Sequence, residues 1–345
     1  MDAFLDVNWL YLLIAAFAGG AFGAAIGALP AFAFTGLMVI AGEAANLIGQ
    51  AVAGDVSIAT TSSVAFGPVF GPHISFAGGA AAAAYAARQG YMDTGFDFHM
   101  AKDITYAHGT KIDVLVVGGL FGMLGALIRQ ASVGFGMPWD PIAMGVTLSA
   151  LFHRLMLGFP VVGTVRGDGL FDVSPFERGD RREDDDRRFA VEPWLPHQYK
   201  WGGVAFLGII AGLLGAYAAI ETGSPFLAFG ISAASLLFLN LGVEKFPVTH
   251  HITLPASTAA LAVVASGSGV EPAILSGGSD MLAMIVGALF GLICAVFAEA
   301  FQRVFYAHGD THWDPPAAAI VFGTLLIAVL YFAGIFGTTV WVPTP

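Results

Sequence analysis

The residues best able to do chemistry in this chain are a carboxylate, several histidines and a run of hydroxyls, all set in apolar sequence. Glu43, Asn46 and Gln50 recur at three- and four-residue spacing, so on a helix they share one face. A carboxylate well inside a hydrophobic helix is costly and usually faces protein or water. Glu43, with Asn46 beside it, is therefore the expected coupling or proton-relay group. The plainer alternative is a hydrogen bond between two helices. Asn240 and Glu244 repeat the spacing further along. Hydroxyls crowd at Ser57, Thr60, Thr61, Ser62 and Ser63; then Gly67, Pro68, Gly71 and Pro72 precede His73 and Ser75. In a second segment, GVEKFPVTHHITLPAST (242–258), Pro247 and Pro255 bracket Thr249, His250, His251 and Thr253. Proline and glycine at membrane depth free backbone groups that protein or water must satisfy. Two such segments at matching positions point to a transporter's binding site. The expected substrate-binding set is thus His73, Ser75, Thr61, Ser62, His250, His251, Thr253 and Asn240, with histidines whose ordinary pKa of about 6.5 suits proton relay.

Other chemistry finds less support. His308 and His312 lie four apart with Asp310 between them, but zinc asks for three or four ligands and the segment has loop composition. No metal site and no other cofactor is expected. No HExxH, GxSxG, Walker or dinucleotide signature stands in a fitting context, so there is no catalytic residue to name and an enzyme is not expected. Glu299 and Arg303 read as a structural i,i+4 pair. His153 and Arg154 are expected to snorkel to an interface.

These groups must be positioned by membrane helices. The chain of 345 residues is 57% hydrophobic and 11% charged, against roughly 25% charged in a soluble protein. Charge concentrates between Glu177 and Arg188, where acids and arginines interleave, a pattern that gives no basis for nucleic-acid binding. The net charge of −11 and the preference for Arg over Lys suit a halophilic source. Hydrophobic stretches long enough for about 20 residues per span lie near 9–29, 31–52, 69–88, 112–131 and 140–158. After a polar segment come 201–220, 225–243, 248–266, 279–301 and 315–336. Asp140-Pro141, Ser224-Pro225 and Asp314-Pro315 supply helix-start chemistry. If both termini are outside and all ten stretches cross, every basic residue except Arg129 falls at the inner face, as the positive-inside rule asks.

The sequence also echoes itself. FGMLGALI (121–128) resembles FGLICAVF (290–297), and WDPIAMGVTLSALF (139–152) resembles WDPPAAAIVFGTLL (313–326). HISF (73–76) pairs with HITL (251–254), and PAFAFTG (30–36) with PFLAFGI (225–231). The order is kept. The expected fold is all-α: a polytopic membrane bundle of about ten helices in two inverted five-helix repeats, 1–158 and 201–345, with broken or re-entrant segments and a charged cytoplasmic linker, 159–200. An odd number of spans per repeat forces the inversion.

GAFGAAIGALPAF (20–32), FGPHISFAGGAAAAAYAA (70–87) and the two WDP helix starts resemble an uncharacterised family of haloarchaeal multi-pass membrane proteins, loosely permease-like. The resemblance implies a cell-membrane, multi-pass protein and transfers no functional residue. The expected function is a transporter or permease for a small molecule or ion, with a midplane site between the repeats. A passive channel, or a structural membrane protein without transport activity, is the alternative. The lipid bilayer and the solute are the expected partners, with a homo-oligomer possible on its glycine-rich faces.

Overall fold

A computed structural model describes residues 8–53, 59–265 and 273–345, and among these it is all helix and loop. Helices form at each of the ten apolar stretches, because apolar segments without water must satisfy their backbone groups internally. They are α1 (Trp9–Ile26), α2 (Ala28–Ala53), α3 (Ser75–Arg88), α4 (Ile112–Gly134) and α5 (Pro141–Leu157). A short α6 (Ser174–Arg178) lies in the linker. Then follow α7 (Trp201–Thr222), α8 (Leu227–Asn240), α9 (His250–Val264), α10 (Asp280–Phe305) and α11 (Pro315–Phe332). Six of them, α1, α2, α4, α7, α10 and α11, are long and apolar enough to cross a membrane. Their outward faces expose Leu10, Ile14, Leu120, Phe206, Leu214 and Leu289, the surface a lipid-facing helix presents. The described structure thus supports a membrane bundle.

Cap chemistry sets the boundaries. Asp140 Oδ1 accepts from Ile142 N at 2.8 Å, and Asp314 Oδ2 accepts from Ala317 N at 2.8 Å, starting α5 and α11. Ser224 Oγ accepts from Phe226 N and Leu227 N ahead of α8. The third stretch becomes helical only at Ser75, later than its apolar start, because glycine and proline carry residues 66–74 through turns. Thr61–Ala65 forms one π-helical turn before them. Ser57 and the rest of 54–58 lie outside the described residues. In α9, Pro255 sits inside the helix, so the His251 carbonyl loses the N–H that would reach it.

Packing within 9–157 pairs α1 with α2, α3 and α4; α3 with α2, α4 and α5; and α4 with α5. Within 201–332, α7 pairs with α8, α9 and α10; α9 with α8, α10 and α11; and α10 with α11. Adding six to each helix number turns one set into the other. The two sets meet through α2 against α8 and α5 against α11. Close approach at α1 and α4 needs Gly20, where a Cβ would collide with Gly118 and Gly122; at α7 and α10 Gly212 meets Gly287 and Gly291 in the same way.

The linker closes one end of the bundle. Phe189 N donates to Asp97 O, Glu192 N to Ala307 O, and Gln198 Nε2 to Val248 O. It therefore touches the loops after α3, α8 and α10. The opposite end gathers the chain after α11: Trp341 packs on Phe226 at 5.1 Å, and Ile274 N donates to Gly334 O. One expectation fails here. His153 and Arg154 do not snorkel, since both are buried. Arg154 is held by the Thr311 hydroxyl and carbonyl and by Val161 O, and its guanidinium lies 5.1 Å from the Trp313 ring. Three fixed acceptors satisfy its donors within the protein, so the side chain need not reach water.

Candidate functional site

Between the two sets of helices lies a cavity of about 1230 Å³. Leu29 and Phe32 of α2, Pro72 and Phe76 at α3, and Asp140, Ala143 and Val146 at α5 face it from the first set. Phe226, Phe229, Leu236 and Leu239 at α8, His250 and Leu254 of α9, and Asp314, Ala317 and Ile320 at α11 face it from the second. Its central wall is buried, Phe32, Phe66, Phe76 and Phe229 packing with Leu29, Leu254 and Ile320 in one hydrophobic cluster.

An unbroken series of rings runs along its wall. Trp341 contacts Phe226 at 5.1 Å, Phe226 contacts Phe66 at 5.4 Å, and Phe66 contacts Phe229 at 5.8 Å. Phe229 meets Phe32 at 5.9 Å, and Phe32 meets both His250, at 4.7 Å, and Phe76, at 5.8 Å. Phe76 then contacts His312 at 5.7 Å, and His312 contacts Tyr306 at 5.3 Å. Every one of these rings lines the cavity. The series thus joins the chain after α11 to the loop before it, from one end of the bundle to the other. The charged lining residues are Asp97, Lys102, Asp103, Arg129, Asp140, Glu244, Lys245 and Asp314; Asp97 and Lys102 contact the linker through Phe189 N and Glu192, and Asp140 N donates to Thr324 Oγ1 of α11. The lining also holds Ser62 and two buried histidines, His250 and His312, whose Nδ1 atoms have no hydrogen-bond partner; His312 Nε2 bonds Asp314 Oδ1 at 3.1 Å, whereas His250 stands among the Phe32 and Phe229 rings.

The linker end is closed by ions. Lys102 Nζ lies 2.7 Å from Glu192 Oε2, with both side chains fully buried. Arg182 bridges Glu192 at 2.8 Å and Asp310 at 2.7 Å. Burial lowers the Lys102 pKa from 10.5 to about 8, against the pull of Glu192. Trp194, Leu195, Pro196 and His197 follow Glu192 in the chain and line the cavity; Trp194 N donates to Gln302 Oε1, and His197 Nε2 lies 2.8 Å from Phe246 O. The His251 ring lies 5.9 Å from that of Trp194.

The expected site residues divide. His250 and Ser62 line the cavity. His73, Ser75, Thr61, His251, Thr253, Asn240, Glu43 and Asn46 do not. His73 is buried where Gly125 of α4 and Gly145 of α5 leave room for it. Ser75 Oγ donates to Phe70 O at 3.2 Å, as does Thr35 Oγ1 at 2.6 Å, so the broken segment's freed carbonyl is satisfied by protein. Thr253 Oγ1 and Asn240 Nδ2 bond carbonyls of their own helices. Glu43 is buried; Thr61 Oγ1 donates to its Oε1 at 2.5 Å and Ser224 Oγ donates to its Oε2. It joins α2, the π turn and the start of α8. Among the described residues no group of three His, Cys, Asp or Glu side chains could hold a metal.

The sequence reading missed the ring series, Arg129, His312 and the network of Lys102, Arg182, Glu192 and Asp310. Phenylalanines in an apolar chain carry no signal of which face a cavity. The one available hint was periodic: Leu29 with Phe32, Phe226 with Phe229, and His250 with Leu254 fall at three- or four-residue spacing.

The model of a family of unknown function (DUF7973) matches residues 3–345. No curated protein and no solved structure matches the chain.

Proposed function

We propose, for a chain that belongs to the family of unknown function DUF7973, that it is an integral membrane transporter whose solute passes through the cavity between two inverted five-helix repeats. The observation that carries this reading is that the cavity lining comes in matched pairs. At the offset of 178 that pairs HISF with HITL, Pro72 matches His250 and Phe76 matches Leu254; all four line the cavity. At the offset of 174 that pairs the two WDP helix starts, Asp140 matches Asp314, Ala143 matches Ala317 and Val146 matches Ile320; all six line it. Leu29 and Phe32 match Phe226 and Phe229 at 197, two residues beyond the offset of the PAFAFTG echo. A cavity walled by equivalent residues of both repeats sits on the axis relating them, where transporters of this plan bind their solutes.

The reading takes all ten helical segments as crossings, so that five per repeat would reverse the second against the first. It puts the linker end in the cytoplasm and both termini outside, an orientation that the basic residues favour. The reading makes Trp194–His197 the inner barrier. Glu43 ties α2 to the start of α8, the contact between repeats that a rocking motion would change. Its carboxylate retains the role of candidate coupling group.

The test is accessibility of Val146→Cys and Ile320→Cys to a membrane-impermeant maleimide in oriented vesicles, with the buried Cys294 replaced by Ala. A transporter labels each position from one side at a time, and solute moves the balance. A passive channel labels both from both sides together. Protection of both positions from both sides means that no aqueous path meets the cavity, and the transport reading falls.

A further inference from the structure

The wall of the cavity specifies its solute more closely than the fold does. Resting on the transport reading for its location alone, we infer that the cavity takes a neutral, ring-bearing organic molecule carrying one hydrogen-bonding group, with the ring against Phe32, Phe66 and Phe229 and the polar group on His250.

Four features lead there. Phe32, Phe66 and Phe229 contact other rings and apolar side chains, and no cation–ring contact with a charged side chain is made by any of the three among the described residues. A net charge held there would lose its hydration without a counter-ion, so ions and strongly ionised acids are disfavoured. A hydrophilic solute such as an amide or sugar would meet few hydrogen-bonding partners on an aromatic wall. The wall itself is built of rings that meet at large angles: Phe32 on Phe229 at 79° and Phe66 on Phe226 at 69°. Edge-to-face geometry extends readily to one more ring, and rings gain from it beyond the area they bury. Lastly, His250 presents a buried ring nitrogen with no partner. A neutral imidazole offers one donor and one acceptor, and a buried polar atom left unmade is unfavourable until something supplies the missing bond. Its neighbours on the wall are the Phe32 and Phe229 rings, at 4.7 and 6.0 Å, so a solute bonded to His250 lies against both.

The experiment is equilibrium binding to the full-length protein in detergent, read as energy transfer from the protein's tryptophans to 2-naphthol. 1-Decanol and 2-naphthalenesulfonate are the competitors. Saturable 2-naphthol binding is expected, with both competitors at least about ten-fold weaker, a difference of ~1.4 kcal/mol. Phe32→Ala with Phe229→Ala should weaken it by about five-fold or more, as two lost ring contacts at ~0.5–1.5 kcal/mol each imply. Phe229→Trp, which keeps a ring, should bind within about three-fold of wild type; this separates a lost wall from a misfolded chain. His250→Phe should bind naphthalene and 2-naphthol equally, whereas wild type prefers the naphthol. Decanol binding as tightly as naphthol, or co-purified lipid that naphthol cannot displace, would make the cavity an acyl-chain site and overturn the inference. Tighter binding of the sulfonate would do the same. Because binding is read without a membrane, naphthol specificity together with a cavity that impermeant reagents never reach would leave the ligand class standing and defeat transport instead.

Discussion

The cap over the linker end and the lumen beneath it are built from opposite chemistries, and each is packed opposite to what its composition suggests. The cap belongs to the most charged stretch of the chain, yet Lys102, Arg182 and Glu192 are buried in it and its ions meet at 2.7 and 2.8 Å. The lumen belongs to the apolar bundle, yet it holds open about 1230 Å³. In a water-soluble domain the charges would face solvent and the apolar side chains would close on one another. Here lipid can solvate the outward apolar faces, so the interior need not be filled to keep them from water. The ions can be drawn inward because each finds a partner. On the proposed transport reading, the open part lies where a solute would pass and the closed part where one would be stopped.

The sharpest break of this contrast is Glu192→Ala, which leaves Lys102 and Arg182 buried without their shared carboxylate. It should cost about 3–5 kcal/mol, read as a lowered Tm in detergent and faster proteolysis within 159–200. An unchanged Tm would mean that the cap is not held by its ions. Phe229→Ala comes next. The ring is buried in one hydrophobic cluster with Phe32, Phe66 and Leu254, so a core-level loss of about 3 kcal/mol is expected, read as a lowered Tm. A loss under ~1 kcal/mol would show the ring to be unpacked in solution. Lys102→Met should be milder still near neutral pH, because Arg182 remains on Glu192 and burial already disfavours the ammonium.

Lys102 also fixes a sign. Its pKa is about 8 in the fold against an ordinary 10.5. Between those values the unfolded chain holds a proton that the folded protein has released, so this group's contribution to stability rises with pH. The Tm of wild type relative to Lys102→Met should therefore climb from pH 8 towards 10.5 and stay flat below pH 8. A difference that falls across the window would refute the buried placement. Smallest of all is Arg187→Ala. Its pair with Asp185 lies on the solvent face and screened exposed pairs contribute little, so no measurable change in Tm is expected.

Much of the scaffold was legible in the residues. Apolar length marked all ten helical segments, and Asp140-Pro141, Asp314-Pro315 and Ser224-Pro225 marked starts whose caps are made as the chemistry requires. The glycine- and proline-rich segment before Ser75 is broken through 66–74 as expected, whereas α9 runs on through Pro255; Pro72 and His250 both border the cavity. Which side chain of each segment faces that cavity was not legible. His73 and His251 were singled out for their place beside the glycines and prolines of the two segments, yet neither lines the lumen, His73 lying in space left by Gly125 and Gly145 and His251 against Trp194. The residue one step earlier in each segment faces the lumen instead. Linear spacing defines a helical face only relative to itself; its absolute orientation comes from the helices that pack around it.

The sequence by itself determined that this chain is a bundle of apolar helices and where most of them begin, and it carries the echoes between its two halves. Those outcomes depend on hydrogen bonding and hydrophobicity within twenty or so neighbouring residues. Tertiary structure alone decided that Arg182, Glu192, Lys102 and Asp310 would meet, that Glu43 would receive hydroxyls from Thr61 and Ser224, and that rings from Phe32 to Trp341 would line one cavity. These groups come from separate segments, up to hundreds of residues apart, and their energies exist only once the intervening helices have packed.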